Sequence, residues 1–228
     1  MDLEALNRRI IACRKCPRLV EWREAVASTK RKAYGDWKYW GKPVPGFGDR
    51  RARILVVGLA PGAHGSNRTG RQFTGDASGQ FLYSALFRAG IGSSPESTSR
   101  DDGLTLDGLY VTASCRCVPP DNRPTPEELA NCRPYLAREI DVLKPRVIVC
   151  LGHIAFRGVL HVHSLRPSDF RFGHRARYQI HLAGRGGRRW LLCSYHPSQQ
   201  NTLTGRLSVR MFDAIWEDAK ELAGYDGR

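Results

Sequence analysis

Four short apolar runs, each cut off by glycine, proline or a polar turn, constrain this chain more than any other feature. They lie within Arg53–Gly58, Leu109–Ala113, Arg146–Leu151 and Arg189–Ser194. Runs of this length, rich in branched residues, read as strands buried on both faces. Helical signals stand between them. Ser78 to Ala89 places Phe81, Leu82, Ala85 and Leu86 on one face. Thr125-Pro126-Glu127-Glu128 combines an N-cap threonine, proline at the first helical position and a glutamate three residues after the cap. Leu129, Cys132, Leu136, Ile140 and Leu143 then recur at helical spacing until Pro145. Gly152–Leu160 and Leu203–Ala223 complete the set of core helices. Strands alternating with helices predict an α/β domain around a mainly parallel sheet. Residues 3–28 read as mostly helical, 30–52 as a loop, 91–107 as an exposed polar loop and 164–178 as basic and irregular. Tyr178 to Leu182 is a further candidate strand. No repeat or second domain is visible, so residues 1–228 are expected to form one domain.

In open α/β sheets, sites are built where strands end. Two loops therefore stand out. One runs from Gly58-Leu59-Ala60-Pro61-Gly62 to Thr74-Gly75-Asp76, and the other is Tyr195-His196-Pro197-Ser198-Gln199-Gln200-Asn201. An aspartate and a histidine distant in sequence can thus face one crevice. Gly65 and Gly70 invite a phosphate-loop reading, but Arg71 and Gln72 occupy the positions that need Lys and Ser/Thr. Nucleotide hydrolysis is excluded on that ground. The net charge of +14, from 36 basic and 22 acidic residues, calls for an anionic partner, of which nucleic acid is the commonest. No apolar run approaches the roughly 20 residues that span a bilayer. The charged N-terminal stretch lacks an apolar signal core. A cytoplasmic protein is expected, with no membrane partner.

In a reducing compartment seven cysteines argue for metal or for buried thiols rather than disulfides. Cys13 and Cys16 form a C-x2-C pair. Cys117 follows a strand, and Cys132 lies on the inward stripe of its helix. Four thiolates could therefore meet, tying residues 1–30 to the middle of the domain. Cys115 competes with Cys117, because residues two apart on a strand point the same way. Zinc and a [4Fe–4S] cluster both accept four thiolates. Cys150 and Cys193, inside apolar runs, read as inert buried thiols.

Singly, each remaining residue has a plain structural explanation. Asp76 precedes a helix and suits an N-cap. Phe73 suits a core, and a lone histidine such as His196 is most often structural. Their combination resembles the uracil-DNA glycosylase superfamily, and within it family 5, also called type B. The matching stretches are Gly58-Leu59-Ala60-Pro61-Gly62-Ala63-His64-Gly65 through Phe73-Thr74-Gly75-Asp76, then Cys117-Val118-Pro119-Pro120-Asp121-Asn122-Arg123, then His196-Pro197-Ser198 with Gln200-Asn201-Thr202 and Thr204-Gly205-Arg206-Leu207. With the Cys13/Cys16 pair they span most of the chain in the expected order.

The resemblance implies a three-layer sandwich with a central four-stranded parallel sheet flanked by helices. It implies a monofunctional DNA glycosylase of base excision repair, acting as a monomer on uracil and on other deaminated bases such as hypoxanthine. It implies a structural [4Fe–4S] cluster on Cys13, Cys16, Cys117 and Cys132, in preference to zinc. By the same resemblance Asp76, His196 and Asn122 are the catalytic candidates. Gly58, Ala60, Pro61, Gly62, His64 and Phe73 line the base pocket. Arg68, Arg71, Ser198, Gln200, Asn201 and Arg206 contact DNA. Leu59 and Ala60 stand where the wider superfamily carries a polar, water-activating residue, and this shifts that task to Asp76. The competing expectations are a metal-stapled nucleic-acid-binding module without catalysis and a hydrolase of free nucleosides.

Overall fold

The parallel core of the structure follows from those four apolar runs. The computed structural model describes residues 2–181 and 187–225. The strands are β1 (Phe47–Gly48), β2 (Ile54–Gly58), β3 (Leu109–Ala113), β4 (Val147–Leu151), β5 (Arg177–His181) and β6 (Arg188–Ser194). They form one sheet in the order β1-β3-β2-β4-β6-β5. The inner strands β3-β2-β4-β6 are parallel, with Val57 opposite both Thr112 and Cys150. β1 and β5 pair antiparallel at the edges. The expected four parallel strands are thus the centre of a six-stranded sheet. One edge was expected and the other was not: β5 overlaps the candidate strand Tyr178–Leu182, while β1 left no signal in the sequence. β1 has two residues, and only Ile180 of β5 is buried, so neither carries a buried apolar run. Of the candidate strand Tyr178–Leu182, Leu182 lies outside the described residues.

Helices cover both faces, which gives three layers. Ile54, Val56 and Val111 point toward α4 (Ala77–Arg88) and α8 (Val209–Ala223), where Trp216 and Phe212 are fully buried. Leu55, Val57 and Ile148 point toward α1 (Leu3–Ile11), α5 (Pro126–Leu143) and α6 (His153–Val162). The capping box at Thr125 and Glu128 forms, and Cys132, Leu136, Ile140 and Leu143 are buried. The remaining helices are α2 (Pro17–Thr29), α3 (Ser66–Thr69) and α7 (Gln199–Leu203).

Three expected boundaries change. The single helix over 3–28 is two, because Pro17 starts a new helix at its first position, and Cys13 to Cys16 fall in the break. The helix expected from Leu203 starts at Val209, capped by Ser208, with Gly205 at φ 72° behind it. The stretch 91–107 is not simply exposed. Ile91, Leu104 and Leu106 join the core, and Ser97 is buried.

Asp102 in that stretch explains why it folds inward. It takes a bidentate pair from buried Arg71, at 2.5 and 2.7 Å, and the amides of Thr98, Ser99 and Leu104. Burial alone would raise this carboxyl. The Arg71 pair and those amides hold it well below the usual carboxylate range. Removing one partner leaves a buried charge unmatched, which costs about 3–5 kcal/mol. Asp102→Ala is expected to lose that much stability in urea unfolding, and a loss below 1 kcal/mol would show that Arg71 finds another partner.

Candidate active site and cysteine cavity

The loop after β2 is held by its own polar side chains. Ser66, Asn67, Arg68, Thr69, Arg71, Gln72 and Thr74 are all buried. Thr69 Oγ1 donates to the carbonyls of Gly65 and Thr74, and Gln72 Nε2 to that of Val44. Arg71 Nε donates to Thr74 Oγ1, and Thr74 pairs with Ser97 at 2.7 Å. Arg68 spans the loop, donating from Nε to His64 O and from Nη2 to Gly75 O. The rings of Tyr34 and Trp37 each lie 4.0 Å from its guanidinium carbon. Both arginines are therefore turned into the protein: every nitrogen of the Arg71 guanidinium is engaged, while Arg68 keeps Nη1 buried without a partner. Their expected role as DNA contacts is corrected: their charge satisfies buried carbonyls and Asp102 instead.

This scaffold presents Phe73 and Asp76. Phe73 takes φ 51°, a left-handed conformation that a bulky residue adopts only when its surroundings enforce it. Its ring lies against Gly58 at the end of β2, where an added Cβ would meet the ring at 2.7 Å. The other neighbour of Phe73 is the His196 ring, 5.9 Å away between centroids and tilted 30°. Asp76 does cap α4, with Oδ1 accepting from Gly79 N at 2.9 Å. Its second oxygen is turned toward Gly62 and Gly65. A Cβ on those glycines would stand 2.9 and 2.1 Å from Oδ2. Burial raises the Asp76 carboxyl above its ordinary value, against the pull of the Gly79 and Ser78 amides and of Arg68. One oxygen is structural, and the other lies in a cradle that only glycine leaves open.

His196 is set by the end of β6. Asn201 Nδ2 donates to its carbonyl at 2.8 Å, and the backbone of Gly152, where β4 ends, packs beside its Cβ. Burial lowers the imidazole to about 4, so it is neutral at pH 7. Asn201, expected at the DNA, thus spends its amide on the His196 loop. Ala60 and Gly62, in the loop after β2, are half-buried, and Pro61 is buried. His64 pairs through Nδ1 with Tyr39 Oη at 3.1 Å. Asn122 is exposed at φ 55°, and no side-chain hydrogen bond joins it to Asp76 or His196 among the described residues. Ser198 is half-buried, while Gln200 and Arg206 are exposed, with Arg206 4.7 Å from the Tyr195 ring.

Cys13, Cys16, Cys117 and Cys132 line one cavity between α2 and α5. Arg23, 2% exposed, donates to Cys117 Sγ at 3.0 Å, and Asn131 Nδ2 donates to Cys16 Sγ at 3.5 Å. Such donors suit thiolates. Cys115 is not on the cavity wall. Its thiol turns to the Cys117 carbonyl and to Cys132. Among the described residues no three His, Cys, Asp or Glu side chains converge as they would around a single metal ion. Cys150 and Cys193 are buried opposite each other in β4 and β6, and burial raises both thiols.

Comparison with known proteins places the chain in a family. Residues 45–220 match the family model of the uracil DNA glycosylase superfamily. The type-5 uracil-DNA glycosylase of Thermus thermophilus is 54% identical over 98% of this chain and all of its own length. That of Mycobacterium tuberculosis is 50% identical over 97% of this chain and 82% of its own. The chain belongs to the uracil DNA glycosylase superfamily, in its type-5 group. The type-4 uracil-DNA glycosylase of Pyrobaculum aerophilum is more distant, at 33% identity over 87% of this chain.

Within this type-5 frame one residue was missed. Leu203, at the end of α7, is 81% exposed, the most exposed large apolar side chain described. Its signal was a leucine alone in the polar run Gln-Gln-Asn-Thr-Leu-Thr-Gly-Arg, a segment expected as a whole to press into the duplex, with Leu203 itself placed at a helix start. The glycine cradle is directly testable. Gly65→Ala is expected to displace the Asp76 carboxylate and cut uracil excision at least tenfold, with the circular dichroism of the fold retained. Parental activity in that variant would show that Oδ2 needs no cradle.

Proposed function

We propose that this chain is a monofunctional DNA glycosylase that hydrolyses the N-glycosidic bond of uracil in DNA, opening base excision repair. The observation that carries this is the Phe73 ring set between Gly58 at the end of β2 and His196 after β6, with Asp76 Oδ2 over Gly62 and Gly65 of the same β2 loop. A base must leave the stack to reach such a site, at a cost of a few kcal/mol that is lowest at a mismatch. Phe73 gives it a face to stack on, worth about 1–3 kcal/mol. As the bond breaks, positive charge grows on the sugar and negative charge on the base. Asp76 Oδ2 holds the attacking water and faces the cationic sugar. Neutral His196 donates an N–H to the base oxygen where negative charge develops. Asn122 reaches the base or the water from the segment after β3. Arg206, Gln200 and Ser198 lie on the exposed side of the second loop, where they would meet phosphates and fix the register. Leu203 is the apolar wedge that fills the space left by the flipped base. Leu59 and Ala60 leave the pocket few polar groups with which to reject an altered base. Hypoxanthine and other deaminated bases are therefore included as substrates.

The four cysteines fit a [4Fe–4S] cluster. They come from the break before α2, the segment after β3 and the inner face of α5, and all four line one cavity in which Arg23 and Asn131 donate to sulfur, as four thiolates holding a cluster would require. When bound it supplies a cross-link between the N-terminal helices and the sheet. Iron and sulfide analysis of the purified protein should find both, and zinc alone would reverse this assignment. No helix among the described residues is long and apolar enough to cross a membrane. A single folded unit, monomeric and cytoplasmic, completes the proposal.

The deciding assay incubates a uracil-containing duplex with the protein and then adds alkali. Cleavage only where uracil was present supports the glycosylase, and an intact strand would leave a nucleic-acid-binding module. Asp76→Asn separates chemistry from stability. Asparagine caps a helix as well as aspartate does. Because folding raises the Asp76 pKa, its charge opposes the fold once the pH exceeds that raised value. The variant should therefore melt no lower than the parent at pH 7, while single-turnover excision falls roughly 10²–10⁴-fold. Unchanged excision would refute the role given to Asp76. Leu203→Ala should slow excision from duplex more than from single-stranded DNA, and equal slowing would argue against a wedge.

A further inference from the structure

A second cavity, of about 330 Å³, opens between α5 and α6 on the face of the sheet away from Phe73. None of the residues given a part in glycosidic chemistry lines it. Its walls are Leu129 and Leu136 from α5 and Ile154 from α6. At its inner end stands Ser114, the residue after β3. Ser114 is 3% exposed, and its Oγ has no hydrogen-bond partner. Gly158 makes the room: an added Cβ there would lie 2.8 Å from that oxygen. An unmet buried hydroxyl costs about 1–3 kcal/mol, which a ligand able to reach it would recover.

The rim is cationic. Arg133 of α5 and Arg157 of α6 flank the opening, and neither has a hydrogen-bond or ion-pair partner among the described residues. Their field is felt locally. His161 on the same rim is held below its usual pKa, first by burial and then by these two arginines. Elsewhere in the structure arginines at inward positions are paired, as Arg71 with Asp102 and Arg116 with Glu139. The first turn of α6, at His153 and Ile154, has no side-chain cap.

We propose that this cavity is a binding site for a small apolar monoanion, such as an aromatic carboxylate. The apolar body lies between Leu129, Leu136 and Ile154. The anionic end meets Arg133 and Arg157, and in a ligand that also carries a polar group on its far ring that group answers Ser114 Oγ. A volume of this size accepts two fused rings, at the small end of ordinary ligand pockets.

Equilibrium dialysis of the full-length protein with 2-naphthoate and with its uncharged amide tests this. One molecule of 2-naphthoate per chain is expected, bound at least tenfold tighter than the amide. Arg133→Ala/Arg157→Ala should erase that preference. Ile154→Asp, at a residue 37% exposed and so tolerant of change, should abolish 2-naphthoate binding by repulsion. Uracil excision should be unchanged in both variants. Equal affinity for the two probes, or binding that survives Ile154→Asp, would overturn the proposal as an adventitious additive only. Displacement of 2-naphthoate by an undamaged duplex would overturn it too, assigning the two arginines to the DNA path.

Discussion

The loop between β2 and α4 depends on one ion pair, of buried Arg71 with part-buried Asp102. Arg71 reaches from the loop to Asp102, and through Thr74 and Ser97 it draws the two segments into one hydrogen-bonded body. A loop this polar would ordinarily sit in water. Here its polar side chains are buried and satisfy one another, so burial makes the loop rigid. Rigidity is what the site requires. Phe73 can hold a left-handed backbone, and Asp76 can keep a desolvated carboxylate, only if the surrounding chain cannot relax away from them.

In the proposed mechanism two residues combine a structural and a chemical task. Asp76 divides them between its two oxygens, one on the Gly79 amide and one over the glycines of the first motif. Phe73 is a core residue by burial and the floor of the site by position. The same economy appears in Asn201, whose amide orients the His196 loop. Burial tunes the acid and the base in complementary senses: it raises the carboxyl of Asp76 and lowers the imidazole of His196. In the proposed mechanism a neutral donor and a reluctant carboxylate together suit a reaction that separates charge between sugar and base.

Much of the fold was legible in advance because buried parallel strands leave uninterrupted apolar runs. The capped helix at Thr125 was legible because its signals are local. Edge strand β1 was not, since it has only two residues, whereas β5 overlaps the expected strand Tyr178–Leu182. The polar stretch 91–107 misled for a related reason. Its composition is that of a surface loop, but Asp102 is balanced by an arginine some thirty residues earlier, and composition does not report pairing. Arg68 and Arg71 misled in the same way: a basic residue in a basic chain reads as a nucleic-acid contact until its partners are seen.

The sequence by itself determined which residues have the chemistry: a Thr-Gly-Asp turn, a His-Pro loop, four cysteines in a family pattern and a first motif without a polar group. Those follow from residue type and order. Only the tertiary structure decided which atoms are free to act. It assigned one oxygen of Asp76 to the helix and left the other over Gly62 and Gly65. It turned Cys117 to the cavity and Cys115 away, although the two are indistinguishable along a strand. It withdrew Arg68 and Arg71 from the surface and left Leu203, Arg133 and Arg157 exposed. The physical reason is common to all of these. Burial and hydrogen-bond partnership are set by contacts between distant segments, and no local pattern encodes them.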